Sequence, residues 1–472
     1  MVQAEFFLSK IYNIAYYKSL LLSIIIILTL VSISIYAVMS MPYDVAVKTW
    51  NSIEHWEDSP RLALPSWVNF FVSAKLPETI VLDSRQRLGQ IEKSTLYIDE
   101  MKNITFRASF EYSYEEFPSE IVLRLYVYNV VKSGVIFVYW AKPSGDVIEL
   151  TRIAVDRSGS YLYYISLDRS LVERYVIRVE SKLGRSPDYV MTPEIALFVK
   201  EDESMMSRST VKALKGRYIF LISAIFFEKN AEMDFKLNIY GKVHGMFGTD
   251  DRRRDIALAI IWGTPLALSF GLTASLLITF AQMLIAAVCA WFGGVLDMAV
   301  QRLTEITMII PFLPMLIMIA IFYKLDIWTL LLIIIALYTF SGGLKWYRSL
   351  FLSLKEAPYI EAARAYGASN ARIILRYMIP RIIPTVIPTL VSSVPSFVFL
   401  EAALAILGVG GGLKVAPSWG RVLDDAVSAG ALYKGYYHWI VFPSIMLVLT
   451  SIAFTLLGFT LDKVLNPRLR EV

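Results

Sequence analysis

The feature that most constrains this chain is a set of apolar runs long enough to cross a lipid bilayer. Residues 19–39, SLLLSIIIILTLVSISIYAVM, carry no charge, and a helix over them would be about 30 Å long, one hydrocarbon thickness. The run is too long for the apolar part of a cleaved signal peptide, the rival interpretation, so we predict an uncleaved first span. Similar runs predict five more spans, at about 266–291, 306–323, 328–348, 382–407 and 439–461.

Charges in the loops predict the orientation of these six spans. Lys10 and Lys18 lie before the first span, which places the tail 1–18 in the cytoplasm because positive charges stay inside. An even number of spans returns the C-terminus to the same side. The loop between the fourth and fifth spans is then also inside, and seven basic residues there outnumber Glu356 and Glu361: Lys345, Arg348, Lys355, Arg364, Arg372, Arg376 and Arg381. The C-terminal Lys463, Arg468 and Arg470 agree.

The start of the second apolar region contains helix-breaking residues. Gly263, Thr264 and Pro265 interrupt a stretch that is too long for one upright span. Because proline removes a backbone donor and crowds the preceding turn, we predict an interfacial helix before the break and a span over 266–291 after it.

Residues 40–243 predict an extracytoplasmic β-rich domain. In FRASFEYSYEEF, apolar Phe106, Ala108 and Phe110 alternate with polar residues, and MDFKLNIYG repeats the pattern from Met233 to Ile239. Alternation with a period of two is typical of a strand with one buried face. Turn residues at 143–146 (PSGD) and 156–160 (DRSGS) predict hairpins. We therefore expect an antiparallel β-sandwich, inserted between the first and second spans. Asn103-Ile104-Thr105 fits either a glycosylated loop or a strand.

The cytoplasmic loop 355–381 contains EAARAYGASNARIILRYMIP, which predicts two helices and a sharp corner. Pro358 suits a first helical turn, Gly367 suits the left-handed position that ends a helix, and Ser369 can cap a second helix that runs to Pro380. The loop could rest on the anionic inner leaflet, or it could plug into a cytoplasmic partner. Periodicity alone favours neither.

This loop resembles the signature of binding-protein-dependent ABC importer permeases. The matching positions are Glu361, Ala362, Ala363, Gly367 and Pro380, with Ile379 where leucine is usual. Further matches occur in order at FGTDD (247–251), WFGGVLD (291–297), LEAALAILGVG (400–410) and APSWG (416–420). Together they resemble the C-type permease subunit of dipeptide, oligopeptide and nickel importers. The resemblance covers the first span and the core 244–472. Arg253, Leu258, Ala259 and Pro265 depart from the pattern, and ordinary members lack the insert.

The resemblance implies a six-span helical permease that forms half of a heterodimeric pore with a second permease subunit. Its loop would couple to two cytoplasmic ATP-binding subunits through Glu361, Ala362, Ala363 and Gly367, with Arg364 and Arg372 either as further contacts or as solvated charges. An extracytoplasmic substrate-binding protein would deliver a peptide, although sugars and nickel remain open. ATP and Mg would be used by the partner subunits, and no cofactor by this chain. We further hypothesise that the insert docks the binding protein.

A buried carboxylate in the fifth span is the other candidate site. Glu401 lies in the apolar stretch LEAALAIL, where a charge is costly and faces a polar cavity or a partner. Pro395 bends the same span. Both are candidates for the pore or substrate path, and the alternatives are a structural hydrogen bond and a simple kink.

Other classes of function have less support in the sequence. No G-x-x-x-x-G-K-[ST] motif is present, and GVGGGLKV at 408–415 lacks its ending, so we expect a transport subunit and not an enzyme. Scattered histidines predict no metal site. A net charge of +5 without a basic cluster argues against nucleic acid. A membrane-anchored receptor or adhesion protein would explain the insert but leaves the helical loop unexplained.

Overall fold

The structure, a computed structural model, describes residues 18–86, 89–323, 325–407 and 416–465. Lys10, Arg468, Arg470 and the glycine-rich 408–415 therefore lie outside the described residues. The chain divides into two compact units. One consists of Met1–Ser52 and Ile256–Val472, and the other is Ile53–Asp255. The inserted unit thus begins and ends later along the chain than the predicted range 40–243.

Helices dominate the first unit and strands dominate the inserted unit. In the described part of the chain the helices are α1 Lys18–Ser40, α2 Tyr43–Asn51, α3 Arg169–Leu183, α4 Pro193–Phe198, α5 Ile256–Phe292, α6 Gly294–Ile309, α7 Phe312–Tyr323, α8 Ile327–Thr339, α9 Gly342–Lys355, α10 Pro358–Ala365, α11 Asn370–Arg372, α12 Ile379–Ile406, α13 Trp419–Ser428, α14 Ala431–Lys434 and α15 Tyr437–Leu465. The strands are β1 Ile80–Asp83, β2 Gln90–Ile98, β3 Met101–Tyr112, β4 Glu120–Tyr128, β5 Gly134–Ala141, β6 Val147–Val155, β7 Gly159–Tyr164, β8 Gly216–Phe226 and β9 Glu232–Tyr240.

Among the described residues, four helices are long and apolar enough to cross a membrane, or up to six if each of two bent pairs is one span. The four are α1, α5, α15 and the continuous stretch Asn370–Ile406 that contains α12. In the bent pairs, α6 and α7 meet at 82°, and α8 and α9 at 45°. The first bend lies at Ile310, whose extended backbone is the conformation favoured before a proline, here Pro311.

The predicted break near Pro265 is wrong. Helix α5 is continuous over 37 residues and contains Pro265. In the turn before the proline, the Ile260 carbonyl accepts hydrogen bonds from the Thr264 hydroxyl (2.9 Å) and from the Trp419 indole of α13 (3.0 Å). Gly263 is a packing residue, since an added Cβ would lie 2.4 Å from the Trp419 ring.

The inserted unit is a β-sandwich, as predicted. One sheet has the strand order β1-β9-β4-β7 and the other β2-β3-β8-β5-β6, with antiparallel pairing between neighbours. The alternating residues face its core: Met233, Phe235, Leu237 and Ile239 in β9 are 0% exposed. The Phe106 and Phe235 rings, one from each sheet, lie 5.2 Å apart edge to face, so large apolar side chains hold the two sheets together.

Turn chemistry was interpreted correctly at one of the two predicted hairpins. Residues 143–146 join the antiparallel pair β5 and β6, with Gly145 at φ 89°. Residues 156–160 do not form a hairpin, because β6 belongs to the five-stranded sheet and β7 to the four-stranded sheet. A local turn signal predicts a change of direction but not the partner strand. Asn103 lies in β3 and pairs with neighbours on both sides.

A buried lysine fastens helix α3 to the sandwich. The Lys142 side chain is 0% exposed, and its ammonium donates to the Tyr175 hydroxyl (2.8 Å) and the Val199 carbonyl (3.0 Å). Burial lowers the pKa of Lys142 to about 8, because a dry environment disfavours the charged form. The partly compensating Glu201 carboxylate lies 3.8 Å away.

We expect Phe235→Ala to destabilise the inserted unit by about 3–5 kcal/mol, because it removes a ring that bridges the two sheets and leaves a cavity. Protease sensitivity of the full chain in increasing denaturant measures this loss. Val131→Ala is the matched control: Val131 is 86% exposed, so its truncation should change stability by less than about 0.5 kcal/mol. Equal midpoints for the two variants would contradict the assigned core.

Candidate functional site

The loop between α9 and α12 forms a helix followed by a glycine corner, as predicted. Helix α10 begins with Pro358 after Ala357 in an extended conformation. It ends where Gly367 adopts φ 77°. The Gly367 amide donates to the Arg364 carbonyl (2.9 Å), and the Ala368 amide donates to the Ala363 carbonyl (3.0 Å). These bonds satisfy carbonyls that a helix end leaves open.

The chain leaves this corner differently from the prediction. Ser369 caps α11, accepting from the Arg372 amide at 3.4 Å, but no separate second helix follows. Instead a π-helical turn, Ile373–Met378, continues directly into α12. Pro380 supplies the reason, because its ring crowds the carbonyl four residues earlier and its nitrogen cannot donate. A wider turn at that point accommodates both effects.

Three interactions fix the loop to the C-terminal end of α5. The Lys355 ammonium donates to the Ala290 and Trp291 carbonyls at 3.1 and 3.0 Å, which suits the negative end of a helix. The Arg364 guanidinium carbon lies 4.4 Å from the Trp291 ring centroid, a cation–π contact. Ile360 (0% exposed) belongs to the same buried cluster as Trp291. The loop is therefore braced against α5.

Because one side of the loop packs against α5, the six predicted coupling residues differ in their exposure. Glu361, Ala362 and Arg372 are exposed, whereas Ala363 is buried in the cluster with Ile360. Arg364 is exposed but lies on Trp291, and Gly367 forms the corner. The outward face of α10 thus presents one carboxylate beside one small residue.

Sequence reasoning missed the supporting residues of the loop. In the sequence, Lys355 is one of several basic residues of the loop and Trp291 is part of a motif, and neither pattern predicts that the two residues are in contact. Ile360 and Ala363 have the three-residue spacing of one helix face, which could have identified the buried side. Tyr366, an aromatic residue before the glycine, is 91% exposed and extends the outward face.

Ion pairs brace the neighbouring helices α6 and α9. The Arg348 guanidinium donates to both oxygens of Asp297, at 2.6 and 2.5 Å, a bidentate geometry that fixes direction as well as distance. The Lys345 ammonium lies 3.2 Å from a Glu305 oxygen. These pairs join the bent segment α6 to the helix that leads into the loop.

A cavity of about 570 Å³ lies where the two bent pairs break. The Gln282 amide donates to the Tyr338 carbonyl (3.0 Å) and the Ser341 hydroxyl (2.9 Å), and the Thr307 hydroxyl donates to the Phe340 carbonyl. At Gly343 an added Cβ would lie 2.5 Å from the Gln282 oxygen. Side chains of α5 and α6 therefore satisfy backbone groups opened by the bend between α8 and α9.

The other candidate, Glu401, is packed between helices. It is 1% exposed and lies beside Ser418, the N-cap of α13. Neither carboxyl oxygen has a hydrogen bond of normal geometry within the described residues. Next to it α12 and α13 approach closely, since a Cβ on Gly420 would be 2.8 Å from the Ala402 Cα. Pro395 is also buried.

Comparison with known proteins matches the helical unit. Residues 282–471 match the family described as "Binding-protein-dependent transport system inner membrane component". A dipeptide transport system permease protein of Lactococcus lactis is 27% identical over 229 residues, 48% of this chain and 64% of that protein. An oligopeptide transport system permease protein of Escherichia coli is 30% identical over 223 residues, 47% of this chain and 72% of that protein. The chain thus spans less than two thirds of the Lactococcus relative.

We expect Gly367→Val to loosen the corner of the loop. A left-handed backbone costs a residue with a side chain about 1–2 kcal/mol, so exchange of the amides at 367 and 368 should become about 5–30-fold faster. Hydrogen exchange followed by mass spectrometry of the full chain measures this. Gly367→Asn is the control, because asparagine tolerates this conformation and should change exchange less. Unchanged exchange in the valine variant would contradict the assigned corner.

Proposed function

This chain belongs to the family of binding-protein-dependent transport system inner membrane components, and we propose that it serves as the membrane-spanning permease subunit of an ATP-driven ABC importer for peptides. The observation that carries the proposal is the braced loop, whose exposed Glu361 and Ala362 are held on a helix fixed to α5. The names of the relatives, dipeptide and oligopeptide transport system permease proteins, support peptides as the cargo.

We propose that the exposed face of α10 docks into a cytoplasmic ATP-binding subunit. Ala362 allows a close approach of the two backbones, and Glu361 supplies one directed charge. A push on this face reaches α5 through the Lys355 bonds to Ala290 and Trp291 and through the Arg364 contact on Trp291. The loop then acts as a rigid lever between nucleotide-driven movement and a membrane helix.

The bent helix pairs are the part of the permease that would move in this proposal. We propose that α6–α7 and α8–α9 change their bend at the cavity around Gln282 when the lever moves. Gln282 and Thr307 carry hydrogen bonds to backbone carbonyls there, so they can exchange partners without leaving a buried group unpaired. For Glu401 we propose a positioning role at the start of α13, because the side chain is enclosed between helices.

The remaining partners follow from the same proposal. A second permease subunit would complete the pore as a heterodimer, two cytoplasmic subunits would bind ATP and Mg, and a substrate-binding protein would deliver the peptide from outside. The termini would lie in the cytoplasm of the cell and the β-sandwich outside, with the helical unit in the plasma or inner membrane.

We expect Glu361→Lys to uncouple transport while the chain still inserts. Reversing this charge places like charges at the docking contact, which typically costs several kcal/mol, and about 1.4 kcal/mol already corresponds to a tenfold loss of affinity. The measurement is peptide uptake and ATP hydrolysis by the complete assembly in proteoliposomes. Glu356→Lys makes the same charge change at an exposed position five residues earlier and should keep normal uptake. Normal uptake by the Glu361 variant would refute the docking role.

A second test compares substitutions of the exposed Ala362 and the buried Ala363. Ala362→Leu adds bulk to the exposed face, so it should weaken association with the ATP-binding subunit and leave the thermal stability of the permease unchanged. Ala363→Leu adds the same bulk inside the cluster of Ile360 and should lower the stability of the permease by about 1–3 kcal/mol. Thermal unfolding and co-purification with the ATP-binding subunit measure the two effects. Similar behaviour of both variants would contradict the assigned faces.

A further inference from the structure

An apolar turn on the inserted unit has no role in the function proposed above. Residues 62–76, LALPSWVNFFVSAKL, carry one charge, Lys75. Within them the 3-10 turn Ser66–Phe70 and the next residues expose large side chains: Trp67 is 41% exposed, Phe70 86%, Phe71 81% and Val72 37%. The Trp67 indole donates to the Met246 carbonyl (2.9 Å), and the Met246 side chain is 67% exposed. We call Trp67, Phe70, Phe71, Val72 and Met246 together the aromatic turn.

The aromatic turn lies at the end of the sandwich from which the chain continues into α5. The segment before it pairs with the last residues of the unit: Leu64 bridges Val243, and the Ser66 amide donates to Gly245 at 2.9 Å. Thr249 in turn bridges Asp255, the last residue of the unit. Three residues of chain span at most about 11 Å and a bridged pair about 5 Å, so the Met246 backbone is within about 16 Å of Asp255.

The chain also enters the unit at this end. The Glu57 carbonyl accepts from the Tyr240 hydroxyl at 2.6 Å, and the Ser59 carbonyl accepts from Arg253 at 2.9 Å. Glu57 follows α2 by a few residues, and α2 follows the span α1. Both covalent connections to membrane helices therefore leave from the end of the sandwich that carries the aromatic turn.

We propose that the aromatic turn inserts into the membrane–water interface and thereby orients the β-sandwich on the bilayer. Tryptophan concentrates at that level, where its apolar ring and its N–H are both satisfied, and phenylalanine is common on the apolar side of segments that lie in the interface. Four of the exposed apolar residues lie within six positions of the chain, in a stretch that carries one charge, and a cluster of this kind on a surface marks a contact with a partner or a membrane. The two short connections to α1 and α5 hold this end near lipid and favour lipid as the occupant over a soluble partner. The inference requires neither the peptide cargo nor the ATPase coupling.

Quenching by spin-labelled lipid tests the proposal on the full chain. The single Cys289 is buried and is replaced by alanine, after which Phe70→Cys and Phe71→Cys are labelled separately with a small fluorophore. The variants are reconstituted in phosphatidylcholine vesicles that contain a lipid with a nitroxide near the top of its acyl chain. We expect quenching at 70 and 71 to be several-fold stronger than at a labelled control.

Val131→Cys is the matched control. Val131 is as exposed as Phe70, at 86%, and its amide donates to Glu228 near the start of β9 (2.7 Å). The nine residues of β9 separate that end from Tyr240 by about 30 Å. Equal lipid quenching at 70, 71 and 131 would overturn the proposal. So would labels at 70 and 71 that escape lipid quenching and lose access to aqueous iodide only when the partner subunits are added, which would identify a protein contact.

Discussion

The capping of α5 by Lys355, together with the contact between Arg364 and Trp291, is the interaction on which the proposed mechanism depends. A short polar helix outside a bilayer has little stability of its own, so α10 can transmit force only if something rigid holds it. The ammonium bonds to Ala290 and Trp291 and the burial of Ile360 supply that hold. They also leave Glu361 and Ala362 free for a partner, since the opposite side of the helix makes the contacts.

Because α5 is continuous, the attachment at its last turn is connected to the whole length of the helix. The helix has 37 residues and is therefore about 55 Å long. Its first residue follows the inserted unit in the chain, and its last turn holds the loop between α9 and α12. A break at Pro265 would have divided this rod into two pieces with an interfacial elbow. The helix continues through Pro265, and α13 packs against the turn before it, where the Trp419 indole donates to the Ile260 carbonyl.

The sequence predicted features that depend on local pattern and missed those that depend on a distant partner. Alternation placed Phe106 and Phe235 in a sandwich core, and Pro358, Gly367 and Ser369 were correctly assigned as caps, because each rule acts within a few residues. The break at Pro265 is wrong because the rule for proline is local, whereas the residue that packs against this turn, Trp419, lies more than a hundred residues later. The turn at 156–160 was misjudged because the sheet that accepts β7 is not encoded in the turn. The spacing of Ile360 and Ala363 could have separated the buried Ala363 from the exposed Ala362, but it does not identify Trp291 as the residue against which that side packs.

The inserted unit can be accommodated in the chain without disrupting the helical unit, because the two ends of the inserted unit lie close together. Bonds from Tyr240 to Glu57 and from Arg253 to Ser59 close the sandwich at the end where the chain enters and leaves, which is the arrangement that tolerates insertion of a domain. Two covalent connections, or tethers, do not by themselves select one tilt of a domain. A third point of attachment is needed to select one orientation. Insertion of the aromatic turn, which lies beside the tethers, into the bilayer would provide that point. An insert anchored as proposed would keep one orientation relative to the bilayer.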